Sequence, residues 1–183
     1  MSKTALVAVA DGTEELEAVT IIDVLRRADA EVTVAAVGEL NITASRGVKL
    51  AADCVIGDCK EKTYDLIVLP GGLPGAEHLR DCTPLIEMLK KQKQSGRLYA
   101  AICASPAVAL APHGLLDDKQ ATGHPSMANK LPNQTKADRR VVVDGNCITS
   151  QGPGTALEFA IELLRLLFDN DTMQKVAGPM CVK

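Results

Sequence analysis

The sequence has few aromatic residues and no tryptophan, with two tyrosines and two phenylalanines among 183 residues. Aliphatic side chains must therefore fill the core. Because 46% of the residues are hydrophobic and 23% are charged, close to the averages of globular proteins, we do not expect a disordered chain. This length supports one sizeable core, so we predict a single domain over residues 1–183.

The sequence also lacks a basic block and a long apolar run. Its net charge of −3 is spread over both signs, which argues against a sequence-specific nucleic-acid surface and against binding to anionic membranes. No apolar run approaches the roughly 20 residues that span a bilayer. No secretion signal is visible, because Asp11 and three glutamates follow the short apolar run at the N-terminus. We therefore expect a soluble, cytoplasmic protein.

The cysteines form no Cys-x-x-Cys motif. There are six of them: Cys54, Cys59, Cys82, Cys103, Cys147 and Cys181. Without a secretion signal we expect a reducing compartment, where thiols are stored, react or bind metal rather than form structural bridges. The one close pair, Cys54 and Cys59, lacks two further ligands at zinc spacing, so we expect no metal site.

Hydrophobic periodicity predicts alternating strands and helices. The predicted strands are TALVAVA (4–10), EVTVAAV (31–37), DLIVL (65–69) and RLYAAI (97–102), with short candidates near Ile42 and Val48 and a hairpin around Asp144-Gly145. The predicted helices are EELEAVTIIDVLRRA (14–28), TPLIEMLKKQKQS (83–95), SPAVALAP (105–112), PGTALEFAIELLRLLF (153–168) and a short terminal helix. Strand-helix-strand crossovers imply parallel pairing, so we predict a doubly wound α/β sandwich with ligands outside the carboxyl ends of its strands.

Cys103 lies at one of three such strand ends, ADGTEE, LPGG and AICASP. It follows a predicted strand and precedes a helix with Ser105 as cap and Pro106 as first residue, the arrangement of a nucleophile elbow. The N–H groups that begin this helix would lower the pKa of the thiol. Against this, cysteine is a small residue that is often simply buried in a core.

Glu17 heads a helical stripe that otherwise faces the core. It precedes Ile21 and Val24 at spacings of four and three. A carboxyl group among apolar side chains has a raised pKa and can donate to a thiolate or move a proton. The competing interpretation is a glutamate that reaches solvent past the first helical turn.

Backbone N–H groups near the cysteine are candidates for binding an oxyanion. Gly71 and Gly72, after Pro70, allow close approach of the backbone, and the N–H of Ala104 would complete the pair. Glycines after a strand are also ordinary turn residues. His124, in ATGHPSM after another short strand candidate, could reach the same sheet edge, but spacing alone does not select it over His78 or His113.

Six segments, in this order and spacing, resemble the DJ-1/PfpI superfamily, and specifically its Parkinson-disease protein deglycase branch. They are ADGTEELEAV, DVLRRA, SRGVKL, YDLIVLPGG, AAICASPA and TSQGPGTALEFA, which together sample nearly the whole chain. The resemblance implies a flavodoxin-like fold, with a mostly parallel sheet and helices on both faces, and a homodimer. The sequence adds little on the dimer, because the second face of the first helix would serve a partner or solvent equally well.

The resemblance also implies which residues act. The family's cysteine, glutamate and histidine match Cys103, Glu17 and His124, and its loop glycines match Gly71 and Gly72. A basic pair that the family places near the dimer interface and the active site, where an anionic group would bind, matches Arg46 and Arg27. Relatives usually have glycine or alanine at Ser105, and many animal members have arginine at Gln151.

Two functions follow from the resemblance. One is a cysteine-dependent, glutathione-independent glyoxalase and deglycase, acting on methylglyoxal, glyoxal and their early adducts on proteins or nucleotides, without a cofactor. The other is an oxidative-stress sensor and redox-dependent chaperone for client proteins, working through oxidation of Cys103. Nuclear and mitochondrial pools would accompany the cytoplasmic one.

Two other functions fit the residues less well. A nucleotide-binding module would need a glycine fingerprint after the first strand, where ADGTEELE places acids that repel phosphate. A peptidase or amidotransferase would need an acid to orient His124, and none occurs in the five residues that follow it.

Overall fold

A computed structural model describes residues 2–182 of the chain. The strands are β1 Thr4–Ala10, β2 Glu31–Val37, β3 Asn41–Thr43, β4 Lys49–Ala51, β5 Cys54–Val55, β6 Leu66–Leu69, β7 Leu98–Ile102, β8 Val141–Asp144 and β9 Cys147–Ser150. The α-helices are α1 Glu15–Arg27, α2 Gly75–Arg80, α3 Thr83–Ser95, α4 Ala156–Leu167 and α5 Asn170–Ala177. Within the described residues, none of these helices has the length and apolar character that crossing a membrane requires.

Seven strands form one sheet in the order β5-β2-β1-β6-β7-β9-β8. All neighbouring pairs are parallel except β8 and β9, which form the hairpin expected around Asp144-Gly145. β3 and β4 form a separate antiparallel pair at the short strand candidates. The chain moves outward from β1 to β2 and later continues on the other side through β6 and β7, so the strand order reverses beside β1. Ligands bind at this point in doubly wound sheets.

Helices cover both faces of the sheet, as a flavodoxin-like sandwich requires. Ala5, Val7 and Val9 of β1 pack in one buried cluster with α1 and α4, whereas the alternate residues pack in a second cluster with α3. This alternation follows from the two-residue period of a strand, and burial on both faces explains why β1 is apolar throughout. The two largest fully buried side chains are Tyr99 and Phe159, and aliphatic residues fill most of the remaining core.

The segment after β7 departs from the prediction of a regular helix. It forms a π-helical turn over Pro106–Leu110 and a 3-10 turn over Ala111–His113. Ser105 does not cap this segment, contrary to the sequence prediction. Pro112 has no backbone N–H to donate to the carbonyl of Val108, which weakens a regular α-helical hydrogen-bond ladder over this segment.

Three further local features differ from the sequence prediction. The residues just before His124 do not form a strand, contrary to expectation. The short elements β5 and α2 were not predicted, because two and six residues are too few to show a clear period. These differences leave the order of the central strands unchanged.

Candidate active site

The loops that follow β1, β6 and β7 are hydrogen-bonded to one another. The N–H of Glu14 donates to the carbonyl of Gly71 at 2.9 Å. Ser105 is fully buried, and its hydroxyl, which does not cap a helix, donates to the carbonyl of Pro70 at 2.5 Å. The three strand ends selected from the sequence therefore form one connected structure at the carboxyl edge of the sheet.

Cys103 occupies a strained turn at the end of β7. Its backbone φ angle is 64°, a value that residues other than glycine rarely adopt. Two backbone hydrogen bonds hold it there: its N–H donates to Ser150 at 3.0 Å and its carbonyl accepts from the N–H of His124 at 2.7 Å. A turn of this kind projects the side chain out of the sheet, as a nucleophile elbow does.

Gly71 leaves the room that this turn needs. A Cβ atom placed on Gly71 would lie 2.6 Å from the Cβ of Cys103, well inside the distance of ordinary contacts. Its N–H donates to Oε2 of Glu17 at 2.7 Å. The prediction that this N–H binds an oxyanion is therefore wrong for the free protein, because Glu17 already uses it.

Glu17 is fully buried, as its place in the helical stripe predicts. One carboxyl oxygen, Oε2, accepts from Gly71. The other, Oε1, has no conventional hydrogen-bond partner in residues 2–182. The thiol of Cys103 is close enough to act on the carboxyl by hydrogen bonding. Burial raises the pKa of Glu17 to about 7, and the hydrogen bonds from Gly71 and Cys103 oppose this rise only in part.

The pKa of Cys103 does not follow the sequence prediction. Burial and the charge of an ionised Glu17 raise the pKa of the Cys103 thiol to about 12, whereas the backbone N–H groups of Gly72 and Ala104 lower it. The prediction of a lowered pKa relied on a regular helix after Cys103. The turn found there is short, and the sulfur is buried next to a carboxyl group.

The titrations of Cys103 and Glu17 are linked because their charges repel. A charge on the sulfur meets two backbone N–H groups and a protonated carboxyl that can donate to it. A charge on Glu17 meets the N–H of Gly71 and the thiol of Cys103, and no solvent. Protonation of Glu17 also removes the repulsion that raises the pKa of the thiol. The pair therefore favours one negative charge with one proton left on the other group, and pKa values of about 7 and about 12 place that charge first on Glu17.

A pocket of about 340 Å³ opens beside the sulfur. Its lining includes Glu14, Arg46, Gly72, Cys103, His124 and Met127. His124 and Cys103 flank Gly152, since a Cβ on Gly152 would lie 3.7 Å from Cδ2 of His124 and 3.9 Å from Sγ of Cys103. The structure thus brings together Cys103, Glu17 and His124, the three residues that match the family's reactive residues.

Ser126 orients His124, a role that the sequence prediction missed. The backbone N–H of Ser126 donates to Nδ1 of His124 at 3.3 Å, and the Ser126 hydroxyl lies 2.8 Å from the same atom. A backbone N–H can only donate, so Nδ1 is the acceptor and Nε2 carries the proton of the neutral ring. The signal in the sequence was the serine two residues after the histidine, in HPS, where a 3-10 turn begins.

The two arginines assigned to the site lie in different places. Arg46 lines the pocket. Its backbone N–H donates to the Glu15 carboxylate at 2.9 Å, which fixes the β3–β4 turn to the start of α1. Arg27 is exposed at the far end of α1 and pairs with Asp23 at 2.7 Å. It lies ten residues after Glu17, about 15 Å along the helix axis. Within one chain Arg27 therefore lies apart from the pocket, and its place near the dimer interface stays a prediction.

Gln151, the second departure from the family pattern, is not among the pocket residues. Its side-chain amide donates to the carbonyl of Ala137 at 3.3 Å. This contact ties the loop after β9 to the segment before β8.

Comparisons with known proteins show which family the chain resembles in sequence and fold. The DJ-1/PfpI family profile matches residues 3–166. The chain is 54% identical to Protein DJ-1 homolog B of Arabidopsis thaliana over 91% of its own length, but spans only 38% of that relative. It is 36% identical to the Glutathione-independent glyoxalase DJR-1.2 of Caenorhabditis elegans, over 92% of this chain and 90% of that one. The structure of oxidized Toxoplasma gondii DJ-1 superposes with a TM-score of 0.95 at 45% identity and 98% coverage of both chains.

The buried carboxyl should make stability depend on pH. Glu17 titrates near 4.5 when unfolded and near 7 when folded, so the folded state binds the extra proton and loses stability as pH rises through this window. We expect Glu17→Gln to remove this loss. The free energy of unfolding of the variant relative to wild type should rise by about 3 kcal/mol between about pH 4 and pH 8.

Urea unfolding at several pH values measures this difference. The matched control is Glu77→Gln, since Glu77 is an exposed glutamate on α2. Parallel pH profiles for wild type and Glu17→Gln would contradict the raised pKa.

The orientation of His124 gives a second prediction. In wild type the neutral ring should carry its proton on Nε2, because Ser126 donates to Nδ1. Ser126→Ala removes the hydroxyl, which is the shorter contact, but keeps the backbone N–H, so it should increase the population with the proton on Nδ1 only in part. Nitrogen chemical shifts of the imidazole in labelled protein report the two tautomers directly. His113, whose Nε2 lies 2.9 Å from the carbonyl of Arg80, is an internal control whose shifts should not move.

Proposed function

The chain belongs to the DJ-1/PfpI family, and we propose that it is a glutathione-independent glyoxalase and deglycase that uses Cys103 as nucleophile. The observation that carries the proposal is the buried Glu17 carboxyl beside the Cys103 thiol, at the edge of an open pocket. Such a pair supplies a nucleophile and a proton carrier in one step. The name of the nematode relative, a glutathione-independent glyoxalase, supports the same chemistry at 36% identity.

The reaction begins with addition of sulfur to an aldehyde. The thiolate of Cys103 attacks the aldehyde carbon of methylglyoxal and forms a hemithioacetal. The developing oxyanion is held by the N–H groups of Gly72 and Ala104, which already point toward the sulfur. Glu17 gives its proton to this oxygen and becomes a carboxylate. No cofactor is needed for this step.

The second stage moves a proton between neighbouring carbons. The Glu17 carboxylate takes the proton from the former aldehyde carbon, and Nε2–H of His124 donates a hydrogen bond to the second oxygen of the enediolate that forms. Glu17 then returns its proton to the second carbon, and the hydroxyl proton of the first oxygen moves to the second oxygen, so that the first carbon becomes the thioester carbonyl. The product is a thioester of lactate on Cys103. Water then hydrolyses the thioester and releases lactate and the free cysteine. For an early adduct on an amine, the sulfur of Cys103 would replace the amine on the hemiaminal carbon, so that the C–N bond breaks, the protonated amine leaves and the same hemithioacetal forms.

The pocket suits a small anionic product. A volume of about 340 Å³ exceeds what a three-carbon dicarbonyl needs, so it leaves space for part of a glycated side chain or nucleotide. Arg46 is exposed and lines this pocket, where it can attract the carboxylate that forms at hydrolysis.

Lactate formation from methylglyoxal without glutathione tests the proposal. We expect turnover by wild type, a loss of at least about 1000-fold in Cys103→Ser because the nucleophile is gone, and a loss of about 100-fold or more in Glu17→Gln because the proton carrier is gone. Cys82→Ser is the matched cysteine control and should keep full activity. Wild-type turnover no better than that of Cys103→Ser would reject the catalytic proposal. Amine release from a purified adduct, with free dicarbonyl trapped, separates deglycation from glyoxalase activity.

A redox sensor and chaperone is the second candidate, favoured by the position of Cys103 in the lining of the pocket. Cys103 is 9% exposed, and the N–H groups near it would bind the oxygens of a sulfinate. Mild hydrogen peroxide should then add two oxygen atoms to Cys103 before other cysteines react, and only this form should suppress client aggregation. Absence of lactate with this oxidation would favour the sensor. Equal oxidation of all six cysteines would exclude it.

We also propose that the chain forms a homodimer through α1. Leu16 and Val19 on this helix are 51% and 47% exposed, and Val48 on the β3–β4 pair is 47% exposed. Backbone N–H groups of Arg46 and Val48 bind Glu15, so these apolar side chains share one side of the molecule. A second copy would cover them, as the family resemblance implies.

Light scattering after size-exclusion chromatography checks the dimer. We expect wild type to have twice the mass of one chain, and Leu16→Glu combined with Val19→Glu to be monomeric because charge would be buried in the interface. Leu157→Glu on α4, where Leu157 is 39% exposed, is the control and should leave the mass unchanged. A monomeric wild type would contradict the proposal.

A further inference from the structure

Two cysteines, Cys54 and Cys59, lie close together at the β5 edge of the sheet. Cys54 belongs to β5, the edge strand that pairs with β2, and Cys59 ends the 3-10 turn Ile56–Cys59. Their sulfur atoms are 3.4 Å apart. Neither residue lines the pocket beside Cys103, and Cys59 packs in the other core cluster. The pair is therefore separate from the site described above.

We propose that Cys54 and Cys59 form a reversible disulfide, and so give the chain a second redox site. A disulfide bond is about 2.05 Å long, so the two sulfur atoms need to approach by about 1.4 Å. Both cysteines are free thiols in the structure. Gly57 and Asp58, between them, are exposed, and a Cβ on Gly57 would meet no atom within 4 Å. Gly57 and Asp58 can therefore adjust without displacing packed side chains, whereas Ile56 and Cys59 are buried.

The surroundings favour thiol chemistry over metal binding. Across residues 2–182 no three His, Cys, Asp or Glu side chains are grouped so as to hold a metal ion, so the pair has no third ligand of these types. Two thiols in contact, one of them reachable from solvent, are the arrangement of an attacking and a resolving cysteine. Cys54 is partly exposed, whereas Cys59 is fully buried.

This difference in exposure assigns the two roles. The Cys54 thiolate attacks a low-molecular-weight disulfide such as oxidised glutathione, forming a mixed disulfide and releasing one glutathione thiolate. The sulfur of Cys59 then attacks the sulfur of Cys54, and the second glutathione thiolate leaves and takes up the proton of Cys59. The protein loses two protons and two electrons, and the oxidised glutathione becomes two thiols. Reduction by a dithiol runs the same steps in reverse.

The pair should react more slowly than an activated cysteine at neutral pH. Burial and the neighbouring Cys59 raise the pKa of Cys54 to about 11. The reactive thiolate is then a small fraction of Cys54 at pH 7. As pH rises toward the pKa, this fraction increases about tenfold for each pH unit. The disulfide should therefore form under sustained oxidising conditions rather than in a brief pulse.

Trypsin places both cysteines in one peptide, LAADCVIGDCK, residues 50–60. Wild-type protein is incubated with oxidised glutathione at pH values from about 7 to 9. Free thiols are then alkylated, the protein is digested with trypsin, and the peptide masses are measured by mass spectrometry. We expect this peptide to lose two hydrogen atoms and to escape alkylation, and dithiothreitol should restore both thiols. The rate of disulfide formation should increase about tenfold per pH unit. Peptide 98–119 reports Cys103 in the same digest, so the result is independent of the proposed function.

Two variants test the assigned roles. Cys59→Ala should retain glutathione on Cys54 as a stable mixed disulfide, because the resolving sulfur is missing. Cys54→Ala should leave Cys59 unmodified in the folded protein, because Cys59 is fully buried. Complete alkylation of both cysteines in wild type after incubation would overturn the proposal, as would glutathione on Cys54 that never resolves. The wild-type measurement decides even where Cys59→Ala fails to fold.

Discussion

The burial of the Glu17 carboxyl against the Cys103 thiol is the constraint on which the site depends. A carboxylate without solvent and with one conventional hydrogen bond is costly, so the site favours its protonated form. A protonated carboxyl is a donor, and the sulfur beside it is a group that gains from a donor. Transfer of the thiol proton to Glu17 therefore gives a thiolate with a hydrogen-bond donor beside it. The same contact explains why the two groups cannot both carry a charge.

The loops around this contact are shaped to hold it. Gly71 has to be glycine because any Cβ would collide with Cys103. Gly72 has a φ of +89°, and a Cβ there would lie 2.3 Å from the carbonyl of Gly12. The Ser105 hydroxyl closes the arrangement by bonding to Pro70. The positive φ of Cys103 is maintained because neighbouring segments hold its backbone on both sides, at Ser150 and at His124.

The sequence was sufficient for the central fold because the strands are long apolar runs and the main helices have clear periods. β1 and α4 are examples, and their bounds fall within a few residues of the prediction. The burial of Glu17 could be predicted for the same reason, since a helical period fixes which residues share a face. Short elements such as β5 carry too few residues for a period. The pKa of Cys103 was mispredicted because it depends on burial and on a distant residue, Glu17, which no local pattern contains.

The partner of His124 bears on the class of chemistry. In a peptidase triad a carboxylate binds the histidine and stabilises the charged ring that forms when the nucleophile loses its proton. Here the partner is Ser126, a neutral hydroxyl and N–H, which fixes the orientation of the ring but supplies no negative charge. Glu17 is already placed beside the sulfur to take or give its proton. His124 is therefore better suited to donate a hydrogen bond from a neutral ring than to act as the base for Cys103, which separates this site from a cysteine peptidase built on similar residue types.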